Sequence, residues 1–263
     1  MGKVIAVTGK GGTGKTAVST MVVRALLDAG VSPILAVDAD PNANFHSTLG
    51  VTLEMTLGSI RESQIRKPGV IPAGMSKPEY FEYRTREALV EAASFDFLAM
   101  GCTEGPGCYC FANSLLREAL GRLEGGYSWI VVDCEAGLEH FSRRTATAID
   151  LLLILADPSR RALETVSTVI ELARSLATPV GEIAVAVNRC PAPPPEPVTT
   201  ALRELGLEAN AFLPQDALVA DLDMRGQPLL NAAETSPLRH AVRDLLAQTR
   251  CAGPLFSPIR QTR

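Results

Sequence analysis

The stretch "KVIAVTGKGGTGKT" (3–16) constrains this chain more than any other. Its first six residues are mostly apolar and include Val4, Ile5 and Val7, the composition of a strand buried on both faces. A glycine-rich turn leads straight into "TAVSTMVVRALLDAG" (16–30). There Val18, Met21, Val22, Ala25 and Leu26 share one helical face, and Gly30 can end the helix. The turn, "GKGGTGKT" (9–16), fits G-x-x-x-x-G-K-[ST]. Glycines in that pattern let the backbone curl until successive N–H groups point at a phosphate, and the helix start adds its positive end. Gly9, Gly11, Gly12, Thr13, Gly14, Lys15, Thr16 and Ala17 are therefore the candidate phosphate cradle. Lys15 is expected to reach the β- and γ-phosphates and Thr16 to hold Mg2+.

The rest of the chain continues the alternation. Apolar runs at 33–38, 95–100, 129–133, 151–156 and 182–188 read as further strands. Helical patterns occupy roughly 79–93, 113–124, 160–176, 198–206 and 236–249. This predicts an α/β fold, a doubly wound and mostly parallel sheet with helices on both faces. With 263 residues and no repeat, one domain over 1–251 is expected. "PAPPPEP" (191–197) is a stiff connector inside it, and 252–263 has no periodicity, a composition compatible with disorder.

Net charge is −4 and no basic run occurs, so bulk attraction to nucleic acid or an anionic membrane is not indicated. The first apolar run is too short for a signal peptide and no 18-residue apolar stretch follows, which makes the cytoplasm the expected location. Six cysteines are too few for a disulfide scaffold in a chain of this length.

Carboxylates stand at the predicted strand ends. "AVDADPNANF" (36–45) carries Asp38 and Asp40, which could be a plain cap and a plain turn, or ligand-binding groups on the edge where open α/β sheets bind. Asp133 follows "WIVV" as a strand-terminal aspartate able to hold Mg2+ through water, and "EAG" (135–137) comes next. Asn188 ends the strand in "VAVNRCP"; a guanine-specific site would want Asp at 191, where this chain has Pro191, so ATP is favoured over GTP.

"MGCTEGPGCYC" (100–110) follows another strand, on the same edge. In an extended segment residues two apart point the same way, so Cys108 and Cys110 can present two sulfurs to one metal, and a helix starting just after them would favour thiolates. Two sulfurs cannot close a four-coordinate site. A second copy of the chain could supply the other pair, Cys102 could be a third ligand, or the thiols could be uncoordinated. Cys134, Cys190 and Cys251 read as small packed residues.

With Lys10 beside the first glycine, "GKGGTGKT" resembles the deviant-Walker dimeric ATPases, the MinD/ParA and nitrogenase iron-protein group. The resemblance implies that Lys10 reaches across a homodimer to the partner's phosphates. It also implies that Asp40 positions the attacking water, that Asp38 lies near the metal, that 135–137 is switch II, and that Asn188 and "LPQD" (213–216), with Pro214, flank the adenine. "GKGGTGKT", "VDADP", "GCYC" and "EAGLEHFSRRTATAIDLLLI" together resemble the CooC-type nickel-insertion ATPases, from residue 1 to about 215. That implies an ATP-dependent metallochaperone with Ni2+ (Zn2+ able to substitute) between two Cys-x-Cys loops. Its client would be a nickel enzyme such as carbon monoxide dehydrogenase or acetyl-CoA synthase. Two other functions compete: a reductase with an intersubunit [4Fe–4S] cluster, disfavoured because Cys134 comes too early, and a positioning ATPase, which leaves the Cys-x-Cys pair unexplained.

Overall fold

The structure, a computed structural model, describes residues 2–66, 71–72, 74–101, 108–135, 148–176 and 178–256. Among them β1 (Lys3–Gly9), β2 (Ile34–Ala39), β3 (Val90–Glu91), β4 (Asp96–Ala99), β5 (Trp129–Cys134), β6 (Ile149–Ala156), β7 (Val180–Asn188) and β8 (Ala211–Leu213) form one sheet. Their order is β3-β4-β2-β5-β1-β6-β7-β8. Every pairing is parallel except β3 with β4. The carboxyl ends of β1, β2, β4, β5 and β7 therefore share one edge.

Strand alternation builds two cores. On β1, Val4 and Ala6 face one layer and Ile5 and Val7 the other. The first layer receives α3 (Leu57–Arg66), α4 (Lys77–Glu87), α5 (Cys108–Leu123), α6 (Arg160–Ser175) and α7 (Glu196–Glu204). The second receives α1 (Lys15–Asp28), α2 (Phe45–Leu49), α8 (Ala217–Met224) and α9 (Pro237–Gln248). The predicted face of α1 is the buried one, with Val18, Met21, Val22 and Leu26 fully enclosed. Each such side chain contributes about 1.5–3 kcal/mol on burial. This is the doubly wound architecture expected.

Several local expectations change. The helix expected over 79–93 ends at Glu87, because Val90–Glu91 pairs antiparallel with β4. It starts earlier, where Ser76 and Glu79 form a reciprocal capping box. The described chain runs past 251: α10 (Gly253–Phe256) packs against the second layer, with Ala252 and Gly253 buried. Residues 257–263 lie outside the described residues.

Candidate functional site

The first helix begins at Lys15, directly after the glycine turn, so its unpaired N–H groups open onto the shared sheet edge. Two glycines there are sterically required. A Cβ on Gly9 would sit 2.1 Å from the Leu155 carbonyl oxygen of the neighbouring strand, and φ at Gly9 is +145°. A Cβ on Gly14, at φ +88°, would sit 2.5 Å from Asn188 Nδ2. The carbonyl of Lys10 gathers the turn: it accepts from Thr13 N at 3.3 Å, from Thr13 Oγ1 at 2.8 Å and, at 3.4 Å, from Lys15 Nζ.

Alternation places Asp38 and Asp133 on the α1 face, because their strand neighbours Val37, Ala39, Val132 and Cys134 face the opposite layer. They are register partners on adjacent strands, and both are buried. Thr16 Oγ1 donates to Asp133 Oδ2 at 2.7 Å and Ser19 Oγ to Asp133 Oδ1 at 2.8 Å. Ser19 was not among the expected site residues, although it lies one helical turn after Thr16 and so on the same face. Burial pushes the Asp133 carboxyl above the usual range, against the opposing pull of the two hydroxyls and Lys15. Burial raises Asp38 as well, and the Asp133 charge adds to it. The Asp133 carboxylate with the Thr16 and Ser19 hydroxyls offers oxygens of the kind a hard divalent cation takes.

Asp38 spends its oxygens on the loop that follows. Oδ1 accepts from Asp40 N at 3.0 Å and Oδ2 from Phe45 N at 2.7 Å. Asp40 is half-buried and accepts from Asn42 N at 2.8 Å, a local turn bond. Asp40, Asn42, Asn44, Ser47 and Thr48 nevertheless line the same cleft as the glycine turn. The far wall carries Asn188, Arg189, Pro214 and Gln215. Asn188 Nδ2 donates to the Thr13 carbonyl at 2.8 Å, so this amide N–H holds the loop. The cleft measures about 1030 Å³, room for a nucleotide.

Cys108 and Cys110 are not in an extended segment: α5 begins at Cys108 itself. Residues two apart on a helix do not share a face, so the alternation argument does not apply to them. Their side chains, Cys102, and residues 136–147 with Glu139 and His140 lie outside the described residues. Among the described residues no group of three or more His, Cys, Asp or Glu forms a metal cluster. Cys134, Cys190 and Cys251 are buried, as expected of packed residues. No helix among the described residues is long and apolar enough to cross a membrane.

Fold and cleft together define a P-loop protein built to hold a nucleotide at the carboxyl edge of its sheet. The chain belongs to the AAA domain family, which matches residues 2–180. It is 40% identical over 244 residues to the uncharacterized ATP-binding protein MJ0685 of Methanocaldococcus jannaschii, covering 92% of this chain and 96% of that one. It is 37% identical over 183 residues to the carbon monoxide dehydrogenase accessory protein CooC of Rhodospirillum rubrum, covering 65% and 69% of the two chains. The septum site-determining protein MinD of Pyrococcus horikoshii, complexed with Mg-ADP, matches with a TM-score of 0.65 at 21% identity over 98% of this chain and all of that one. A ParA family ATPase from Chlorobium tepidum matches with a TM-score of 0.66 at 19% identity over 92% and 96%. At these identities the structural likeness is one of fold.

Proposed function

We propose that this protein binds and hydrolyses ATP and uses that cycle as a metallochaperone, supporting nickel insertion into carbon monoxide dehydrogenase or acetyl-CoA synthase. The observation that carries the nucleotide half is the Thr16–Asp133–Ser19 cluster beneath the glycine turn. ATP is supported by Pro191 where a guanine site would want aspartate, and by relatives named ATP-binding. Mg2+ fits the oxygen donors: Thr16 and Asp133 would hold it, the aspartate through water, and it would neutralise charge on the terminal phosphates. The chain supplies the rest. The Gly9–Ala17 turn holds the phosphates and Lys15 offers its ammonium to them. Asp40 orients the attacking water, and Lys10 of a second copy adds positive charge. Asn188 and Pro214 line the adenine side.

The metal half is supported by the Cys-x-Cys pair and by the similarity to CooC. Nickel is cargo here. The Cys-x-Cys pair, Cys108 and Cys110, supplies two sulfurs per chain, so a four-thiolate site built from it takes two copies related by a two-fold axis. Thiolates also suit zinc, which can occupy the same ligands. Anaerobic titration with Ni2+ should give one ion per two chains and thiolate-to-nickel absorption. Changing Cys108 or Cys110 to Ser should abolish tight binding and leave ATP turnover largely intact. One ion per chain, dependent on Cys102, would refute the shared site; iron and sulfide in the isolated protein would favour the reductase.

A further inference from the structure

Arg189, which no motif requires, is held against the phosphate loop. It follows Asn188 at the end of β7, is exposed on the cleft wall, and has φ 55°. That left-handed conformation is disfavoured for any residue with a β-carbon, and such residues gather at functional sites. Here it accompanies a contact with the loop: Arg189 Nη1 donates to the Gly12 carbonyl at 3.1 Å. The preceding side chain does the same one residue along, Asn188 Nδ2 donating to the Thr13 carbonyl. Two consecutive side chains, Asn188 at the end of β7 and Arg189 just after it, thus hold two consecutive carbonyls of the turn.

The consequence follows from peptide geometry. In a trans peptide the carbonyl and the next N–H point in opposite directions. Fixing the Gly12 and Thr13 carbonyls toward β7 therefore fixes the Thr13 and Gly14 N–H groups on the other side. The Thr13 N–H is indeed turned inward onto the Lys10 carbonyl. Gly9, Gly12 and Gly14 all have positive φ, so the turn has little intrinsic stiffness and depends on such ties. Preorganised N–H donors bind an anion without having to be ordered at the moment of binding.

We infer that Arg189 is a positioning residue of the nucleotide site: its guanidinium holds the Gly12 carbonyl, and through that peptide the Thr13 N–H that closes the turn on the Lys10 carbonyl, so the loop keeps the shape in which it meets a phosphate. The ligand it serves is the polyphosphate, whatever base is attached. This rests on the nucleotide reading above, and the experiment separates the two. Binding of Mg-ATP and of inorganic tripolyphosphate to the full chain is measured by calorimetry for wild type, R189A, R189G and R189K. R189A and R189G should both weaken both ligands by roughly three- to tenfold, the effect of losing one charge-assisted bond at an exposed site. KM for ATP should rise with kcat little changed, melting should stay near wild type, and R189K should recover most of the affinity. R189G relieves the left-handed strain; if it binds like wild type, backbone strain and not the guanidinium is responsible, and the inference fails. A loss confined to ATP would make Arg189 a contact to the base and overturn it. Wild-type affinity in both R189A and R189G would overturn it as well. A wild-type chain that binds neither ligand would refute the nucleotide reading and this inference with it.

Discussion

At the scale of single residues, the proposed function separates groups that bind from groups that act. Among the described residues Lys15 bonds the Lys10 carbonyl, at a long 3.4 Å, so its ammonium can move to an anion at small cost. Asp40 has one oxygen tied to its own turn and lies on the cleft wall. Lys15→Ala should therefore lower ATP turnover by about 10²–10³-fold and weaken binding, because the phosphate charge loses a fixed partner. Asp40→Asn should hold ATP with near wild-type affinity and lose about 10²-fold in turnover if, as proposed, its carboxylate orients the attacking water. Paired binding and single-turnover measurements check both; near-normal turnover in D40N would reduce Asp40 to a turn residue. Asp38 behaves differently, as a brace whose two oxygens shape the loop between Asp40 and Phe45.

At the scale of elements, one carboxylate organises the far wall of the cleft. Asp216 caps α8 through Leu218 N at 2.8 Å and Val219 N at 3.3 Å. Its other oxygen accepts from Ser236 Oγ at 2.5 Å and Leu238 N at 3.0 Å, at the start of α9. Two helix starts converge on one buried side chain, directly after the "LPQ" stretch that begins at the end of β8. Asp216→Ala should cost about 2–4 kcal/mol, two lost caps and a stranded hydroxyl. Burial alone would raise the Asp216 pKa, but the Ser236 hydroxyl and the three backbone N–H groups outweigh it, and the pKa lies below 3.8. With the folded value depressed, this contribution is fully present above the unfolded pKa near 3.8 and fades as pH falls through the lower folded one. Denaturant titrations at pH 7 and pH 3 check it: the wild-type advantage over D216A should shrink at pH 3.

At the scale of the molecule, the nucleotide cleft is open on the sheet edge, and the proposed chemistry needs a second copy to supply Lys10. Lys10→Ala should bind Mg-ATP but fail to double its mass on adding it, and its turnover should fall. Light scattering with and without ATP is the measurement. ATP-dependent dimerisation of K10A like that of wild type would remove the lysine from the partner's site. The two-layer core keeps this test clean, because Lys10 lies outside both hydrophobic clusters.

Periodicity and one motif determined much of this protein. Short Val/Ile-rich runs bounded by turns read as strands with both faces covered, and a glycine turn between strand and helix aims its N–H groups at one point. The parallel sheet, its two helical layers and the phosphate turn were therefore legible residue by residue, including the buried face of α1. What needed the tertiary structure were contacts between residues distant in sequence. Ser19 and Thr16 meet Asp133, 114 and 117 positions away, and Asn188 and Arg189 meet a turn 175 and 177 positions away. Asp216 joins two helices whose caps look independent in the chain. The two-residue β3 was hidden inside a helical pattern, because its pairing with β4 overrides local propensity. The start of α5 at Cys108 was hidden too, since Gly-Pro-Gly marks a turn but not the residue at which the helix begins. Local pattern specifies which face of each element is buried; which distant side chains then meet depends on strand order and register, and those are set only when the whole sheet assembles.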